Sequence, residues 1–198
     1  MKRHAAAYLE ELRAALEAIP LGTLEAIAGL LREARAQDRQ IFLLGNGGSA
    51  STASHFACDL GKGTAPRTGR RFRVIALTDN IPLLTAWAND TEYANVFVEQ
   101  LRNLVNSGDV VLALTGSGNS ENVLRALSLA RERGARTVAL TGFDGGKVKA
   151  IAEVCLVVPT GRIEQAEDAH LILQHILCTY LREAIAGEGG PGGHAGHK

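Results

Sequence analysis

The spacing of apolar and polar residues divides the chain into alternating strands and helices. Short runs dominated by apolar residues, typical of buried strands, occur at 41–44, 73–77, 109–114, 136–140 and 154–158. Helical segments separate these runs, and the connecting loops are short. The pattern predicts an α/β fold with a five-stranded parallel sheet, doubly wound and sandwiched by helices.

The helices are predicted from apolar residues spaced three or four apart. Two of them, within residues 4–36, precede the first strand, so we expect them to cover the sheet or to meet another subunit. Residues 1–186 are predicted to form one domain, followed by a disordered glycine-rich tail at 187–198. The later helices are predicted over 49–60, from 82 toward 87, over 94–105, over 121–132, in a short segment up to 152, and over 163–184.

The first strand ends in a glycine-rich turn, Gly45-Asn46-Gly47-Gly48. Ser49 follows as a predicted N-cap of the next helix. Free backbone amides and a helix N-terminus favour an anion at such a turn, although a simple tight strand–helix turn would also explain it. The segment matches neither the dinucleotide fingerprint nor the P-loop, so a nucleotide is the weaker interpretation.

The third strand ends in a second polar loop, TGSGNS at 115–120. Three hydroxyl side chains, close glycine amides and a helix N-terminus together favour a phosphate ligand without lysine or metal. An ordinary capped loop explains Ser120 but not the repeated hydroxyls. In a parallel sheet both glycine-rich loops lie at the C-terminal strand ends, so we expect them to form one site.

The amino-acid composition bears on which partners and which cell compartment are expected. Lys plus Arg and Asp plus Glu are each 21, a balance that gives no support to nucleic-acid or membrane-surface binding. The basic group Lys62, Arg67, Arg70 and Arg71 fits a solvated loop or a rim for an anionic substrate equally well. Three isolated cysteines predict reduced thiols, and neither a signal peptide nor a membrane span is predicted, so we expect a cytoplasmic protein.

With these segments in view, the sequence resembles the sugar isomerase (SIS) domain family, and most of all its phosphoheptose isomerases. The segments that carry the resemblance are GNGGSASTASHF, WANDTEY, LTGSGNSENV, LTGFDGG and EDAHLILQHIL. The resemblance implies a flavodoxin-like sheet and isomerisation of sedoheptulose 7-phosphate to heptose 7-phosphate. It also implies substrate contacts from Asn46, Gly47, Gly48, Ser49, Asn89, Asp90, Thr115, Gly116, Ser117 and Ser120, with Glu167 as a further contact.

The same resemblance implies a zinc ion, one per subunit, surrounded by His55, Asp59, Glu167 and His175. It assigns the base to Asp59 or Glu167 and the acid to His175. The chain departs from the family at two of the four positions, with Asp for Glu at 59 and Glu for Gln at 167. Because Asp59 reaches about 1.5 Å less than Glu, we hypothesise that its role has been partly transferred to Glu167.

The family also implies a homotetramer with active sites at subunit interfaces. Residues 167 and 175 lie ~12 Å apart along one helix, so ligands from two subunits are plausible. Two alternatives to the isomerase stay open. One is a non-catalytic module that binds a phosphosugar or a replication initiator, and the other is an enzyme acting on a different phosphosugar.

Overall fold

A computed structural model describes residues 1–188 and contains the predicted sheet. All five strands are parallel, in the order β2-β1-β3-β4-β5. The predicted fold class is therefore confirmed. The strands are β1 (Gln40–Gly45), β2 (Arg73–Ala76), β3 (Val110–Thr115), β4 (Arg136–Thr141) and β5 (Val154–Val157).

Seven α-helices cover the two faces of the sheet within the described residues. Shorter helical turns interrupt the pattern: a π-helix at Asp59–Gly63 and 3-10 turns at Tyr93–Asn95 and Lys147–Ala150. The α-helices are α1 (Lys2–Glu17), α2 (Leu21–Ala36), α3 (Gly48–Cys58), α4 (Ile81–Asp90), α5 (Val98–Leu104), α6 (Glu121–Glu132) and α7 (Ile163–Glu188).

The two faces of the sheet contribute to separate hydrophobic cores. Along β1, Ile41 and Leu43 enter the core formed with α2, α3 and α7, whereas Phe42 and Leu44 enter the core formed with α5 and α6. This division follows from the alternation of side chains along a strand. A sheet buried on both faces also explains why its strands are apolar almost throughout.

Several predicted boundaries differ from the structure. Gly47, not Ser49, caps α3, and Ser49 is buried inside the first turn. The helix predicted from 82 toward 87 extends to Asp90, so that Asn89 and Asp90 lie in the last turn of α4. The predicted helix over 94–105 is split into a 3-10 turn and α5, and the two buried residues Val96 and Phe97 lie between them.

The end of α7 overlaps the predicted tail. The helix extends through residue 188 and so includes the first two residues of the segment predicted to be disordered. The prediction for residues 189–198 lies outside the described residues.

Helix α1 lies mostly at the surface, and polar contacts attach it to α7. The Tyr8 hydroxyl donates to Asp168 at 2.5 Å, and Glu11 contacts both Arg162 and Gln165 at 2.8–2.9 Å. Leu9 on the same helix remains exposed. Among residues 1–188 no single helix is long and apolar enough to cross a membrane; α1 and α2 pass that test only as a pair bent by 69°.

Candidate active site

The two glycine-rich loops lie side by side, as the sequence predicts. From β1 the chain adds β2 on one side and then β3, β4 and β5 on the other, so the winding of the sheet reverses between β1 and β3. These two strands are neighbours, with Gly45 opposite Leu114. In doubly wound sheets such a switch point opens a crevice at the C-terminal strand ends, where ligands bind. Both loops leave the sheet at this crevice.

Glycine is required at two positions of the first loop. Gly47 has φ +55°, a left-handed conformation that costs energy for any residue with a Cβ. A Cβ on Gly45 would lie 2.8 Å from the Leu114 carbonyl oxygen and from Ser49 backbone atoms. The loop therefore approaches the neighbouring strand closely, and its shape is set by backbone contacts.

The three hydroxyl residues of the second loop have different surroundings. Thr115 is buried and its Oγ1 accepts a hydrogen bond from the Gly118 amide at 3.2 Å, so it braces the loop. Ser117 is exposed, and Ser120 is half-buried at the N-cap of α6, as predicted. The predicted phosphate contacts of Thr115, Gly116, Ser117 and Ser120 stay predictions.

The loop after β4 packs against the second loop and forms hydrogen bonds with it. The Val148 amide donates to the Gly118 carbonyl at 2.9 Å, and the Lys147 amide donates to Asn119 Oδ1 at 3.1 Å. Gly118 has φ +67°, and a Cβ there would lie 2.2 Å from the Gly145 carbonyl oxygen. Two backbones thus touch at Gly118, which fixes the conformation of the predicted phosphate loop.

A matched pair of glycine substitutions tests this contact. Gly118→Ala should lower the free energy of unfolding by ~2 kcal/mol or more, from left-handed strain plus the backbone clash. Gly29→Ala, the same change at an exposed position inside α2 with no neighbouring atom within 4 Å, should raise it by up to about 1 kcal/mol. Urea unfolding at one fixed protein concentration measures both. Equal effects at the two positions would contradict the proposed brace.

Three of the four predicted metal ligands converge on one carboxylate oxygen. Asp59 Oδ2 lies 3.4 Å from His55 Nε2 and 3.7 Å from His175 Nε2. The two imidazole rings are 5.0 Å apart and nearly perpendicular. His55 and Asp59 come from the end of α3, where the helix widens into the π-helix, and His175 comes from α7. The shorter aspartate therefore still reaches both histidines.

The donor set of this cluster fits a divalent metal such as zinc. The ligand atoms of His55, Asp59 and His175 all lie within 4.8 Å of one another. Tetrahedral zinc with bonds of 2.0–2.2 Å places its ligand atoms roughly 3.4 Å apart, close to both observed distances to Asp59. Two imidazole nitrogens and one carboxylate are also the ligand types of catalytic zinc sites, which keep a fourth position open.

Glu167 lies outside this three-residue cluster. Its carboxylate instead covers the N-terminus of α3, where a Cβ on Gly48 would lie 2.4 Å from Glu167 Oε2. Positive helix-end charge favours a carboxylate at that place. Its predicted substrate contact is compatible with this position beside the first loop, whereas its predicted metal role stays a prediction.

The predicted pair Asn89 and Asp90 lies at the exposed end of α4. Asn89 Nδ2 donates to Asp90 Oδ1 at 2.8 Å. The segment that follows turns toward the first loop, where the Tyr93 hydroxyl donates to Asn46 Oδ1 at 3.0 Å. The WANDTEY segment therefore does contact the loop, through a tyrosine that was not among the predicted site residues.

Two further polar residues of the site were missed. Gln174 is fully buried and its Nε2 donates to Asp59 Oδ2 at 3.3 Å, so it orients the carboxylate. Asn122, in the first turn of α6, pairs with Asn46. A sequence signal exists for both, since each is a neutral amide at a buried position of a helix otherwise rich in apolar residues.

His170 on α7 is buried next to the end of β4 and is separate from the cluster. Neither ring nitrogen has a hydrogen-bond partner among the described residues. Burial lowers the pKa of His170 to about 4. The ring is therefore neutral in the folded protein near neutral pH.

A pH dependence of stability follows from His170. Since the pKa is lower in the folded than in the unfolded state, the unfolded chain binds more protons below pH ~6.5, and stability falls as the pH falls. The wild type should lose ~2 kcal/mol between about pH 7.5 and about pH 5 that a His170→Leu variant retains. Urea unfolding of both proteins at both pH values measures the difference. Parallel losses in the two proteins would contradict it.

Sequence comparison identifies the family to which this fold belongs. The family model described as the SIS domain matches residues 6–142, which cover the strands and loops from β1 to β4. The protein is therefore a SIS domain protein.

Its relatives narrow the class further. Phosphoheptose isomerase from Aquifex aeolicus is 39% identical over 159 residues, covering 80% of this chain and 83% of the relative. The enzyme of the same name from Geobacter sulfurreducens is 38% identical over 172 residues, with coverage of 86% and 90%. The structure of phosphoheptose isomerase GmhA from Neisseria gonorrhoeae superposes with a TM-score of 0.85 at 34% identity, covering 92% and 98%. The chain belongs to the phosphoheptose isomerase family.

Proposed function

We propose that the protein is an aldose–ketose isomerase that converts sedoheptulose 7-phosphate to D-glycero-D-manno-heptose 7-phosphate. The observation that carries the proposal is the convergence of His55, Asp59 and His175 beside two glycine-rich loops at the switch point of the sheet. The relatives named phosphoheptose isomerase support the same reaction and substrate.

The proposed reaction moves two protons and leaves the sugar's composition unchanged. A base takes a proton from C1 of the ketose, the electron pair forms the C1–C2 double bond, and the carbonyl π electrons move to O2, which gains a proton. The enediol then loses the O1 proton as the aldehyde forms at C1, and a proton is added at C2.

Residues of the cluster are proposed to carry these steps. Asp59 or Glu167 takes the proton from carbon, and His175 donates at oxygen. His55, Asp59 and unprotonated His175 would hold a zinc ion, which when bound would stabilise negative charge on the substrate oxygens in place of that acid. Thr115, Gly116, Ser117 and Ser120 would bind the phosphate, so that binding energy remote from the reacting carbons orders them.

We also propose a cytoplasmic homotetramer with active sites near subunit interfaces. Support comes from exposed apolar residues on α7 next to the cluster, Ile176 and Tyr180, and from Leu9 on α1. The side chains of His55 and His175 are 46% and 48% exposed in the single chain, so a second subunit could complete their surroundings.

A turnover assay with sedoheptulose 7-phosphate, with and without added zinc, tests the proposal. Hexose and pentose phosphates are assayed beside the heptulose phosphate, and the purified protein is analysed for metal and molar mass. Zinc-dependent turnover that is fastest with the heptulose phosphate is expected. No turnover, with the fold still stabilised by the phosphosugar, would instead indicate a binding module.

A further inference from the structure

Asn46 and Asn122 join the two predicted substrate loops through a reciprocal pair of amide hydrogen bonds. Asn46 Nδ2 donates to Asn122 Oδ1 at 3.0 Å, and Asn122 Nδ2 donates to Asn46 Oδ1 at 2.9 Å. Asn46 follows β1, whereas Asn122 lies in the first turn of α6 and is only 3% exposed. A buried amide pair of this kind holds the two loops in one relative position.

Neighbouring groups fix which end of each amide is which. The Val123 backbone amide, which can only donate, lies 3.0 Å from Asn122 Oδ1. Asn122 Nδ2 must then face Asn46 Oδ1, and the orientation of Asn46 follows. The Tyr93 hydroxyl donates a second hydrogen bond to Asn46 Oδ1 at 3.0 Å.

Most of the hydrogen-bonding capacity of the Asn46 side chain is used within the protein. An amide oxygen has two lone pairs, and an amide nitrogen has two hydrogens. Both lone pairs of Asn46 Oδ1 are used, by Asn122 and Tyr93, and one N–H is used by Asn122. The half-buried Asn46 side chain is left with one free N–H and no free acceptor.

The same helix also holds the turn that carries Tyr93. Arg125, one turn after Asn122 on α6, donates to Asn95 Oδ1 at 2.9 Å and pairs with the Glu92 carboxylate. Asn95 closes the 3-10 turn that begins at Tyr93, and Glu92 precedes it. Helix α6 therefore positions both groups that contact the Asn46 oxygen.

We propose that Asn122 is a positioning residue that, together with Tyr93, makes Asn46 a fixed hydrogen-bond donor toward an oxygen of the sugar. A fixed donor favours an oxygen that gains negative charge, as O1 or O2 does during enediol formation. An amide free to rotate would lose this preference, because it could present its oxygen instead. The inference rests on the proposed isomerase function.

A double-mutant cycle tests whether Asn122 acts through Asn46. Asn122→Ala should lower kcat/KM about tenfold in the wild-type background, the size expected for one lost hydrogen bond in a site. In an Asn46→Ala background it should change kcat/KM by less than about twofold. Equal losses in both backgrounds would show a merely structural role and overturn the proposal. Exposed Asn103→Ala, on α5, is the control that should leave kcat/KM unchanged.

Tyr93→Phe repeats the cycle without disturbing a buried residue, since Tyr93 is 60% exposed. It removes one hydroxyl, and its effect on kcat/KM, about threefold or more, should also vanish in the Asn46→Ala background. If Tyr93→Phe keeps its full effect in the Asn46→Ala background, the proposal is contradicted. This test remains valid even if Asn122→Ala does not fold.

A readout without turnover separates this inference from the proposed function. In ¹⁵N spectra, the side-chain amide signal of Asn46 should differ in position between Tyr93→Phe and the wild type, whereas that of Asn103 should coincide. If the wild type neither binds nor converts sedoheptulose 7-phosphate but this shift occurs, the proposed function fails while the fixed amide stands. An unshifted Asn46 signal would overturn the inference itself.

Discussion

Replacing Asp59 with asparagine should lower kcat for sedoheptulose 7-phosphate by about 10²–10⁴-fold, the range found when a catalytic acid or base is removed. The expectation is this large because Asp59 Oδ2 is the atom on which His55, His175 and Gln174 converge. The change removes a candidate base and a candidate metal ligand together. Steady-state kinetics with saturating zinc measures the effect, beside unfolding curves that check the fold.

Three further variants give that experiment its controls. Asp38→Asn makes the same chemical change at an exposed position before β1, where asparagine tolerates the positive φ of 58°, and it should leave kcat unchanged. Asp59→Glu restores a carboxylate and should recover part of the activity. Glu167→Gln tests the hypothesis that the base has been transferred. A loss as large as that of Asp59→Asn would support transfer, and unchanged turnover would end it.

Replacing His175 with alanine should weaken zinc binding by more than roughly 100-fold. Loss of a residue that merely hydrogen-bonds to a metal ligand already weakens metal binding by roughly 10–100-fold, and His175 is a proposed ligand itself. His175 is the ligand that α7 brings to α3, so within the described part of the chain its loss leaves the cluster with His55 and Asp59, one helical turn apart. Competition with a chelator of known affinity measures the change, independently of activity.

The glycine-rich terminus carries His194 and His197, which could bind zinc on their own. A His194→Ala/His197→Ala variant therefore serves as the background for the titration, and His4→Ala, on exposed α1, as the matched control. The proposed site would be contradicted if tight zinc binding survived in His175→Ala but was lost in the His194→Ala/His197→Ala variant. Such a result would place the metal in the terminus.

The π-helix at the end of α3 illustrates a feature that periodicity could not reveal. The i, i+4 spacing predicts that His55 and Asp59 share a helix face, and they do. The sequence pattern continues the same helix to residue 60, whereas the structure widens it from Asp59 onward, where Gly61 and Gly63 weaken the α-helical preference. From the start of this widened segment Asp59, although about 1.5 Å shorter than glutamate, lies 3.4 Å from His55 and 3.7 Å from His175.

Gln174 and Glu167 show a second limit. Both were visible in the sequence as polar residues on an apolar helix, yet their partners lie far along the chain. Gln174 contacts Asp59, and Glu167 covers Gly48. No spacing rule connects such pairs, because the packing of α7 against α3 decides which turn of one helix meets which residue of the other.

The sequence by itself determined the layer structure and the place of the site. Apolar runs fix buried strands, glycines and hydroxyl residues fix the loops, and parallel strands bring the loops to one edge, since these effects act over a few residues or follow from chain connectivity. Only the tertiary structure decided that Thr115 braces its own loop, that Gln174 orients Asp59, and that Asn122 and Tyr93 hold Asn46. Such contacts depend on distances between side chains far apart in sequence, which packing sets and local pattern does not.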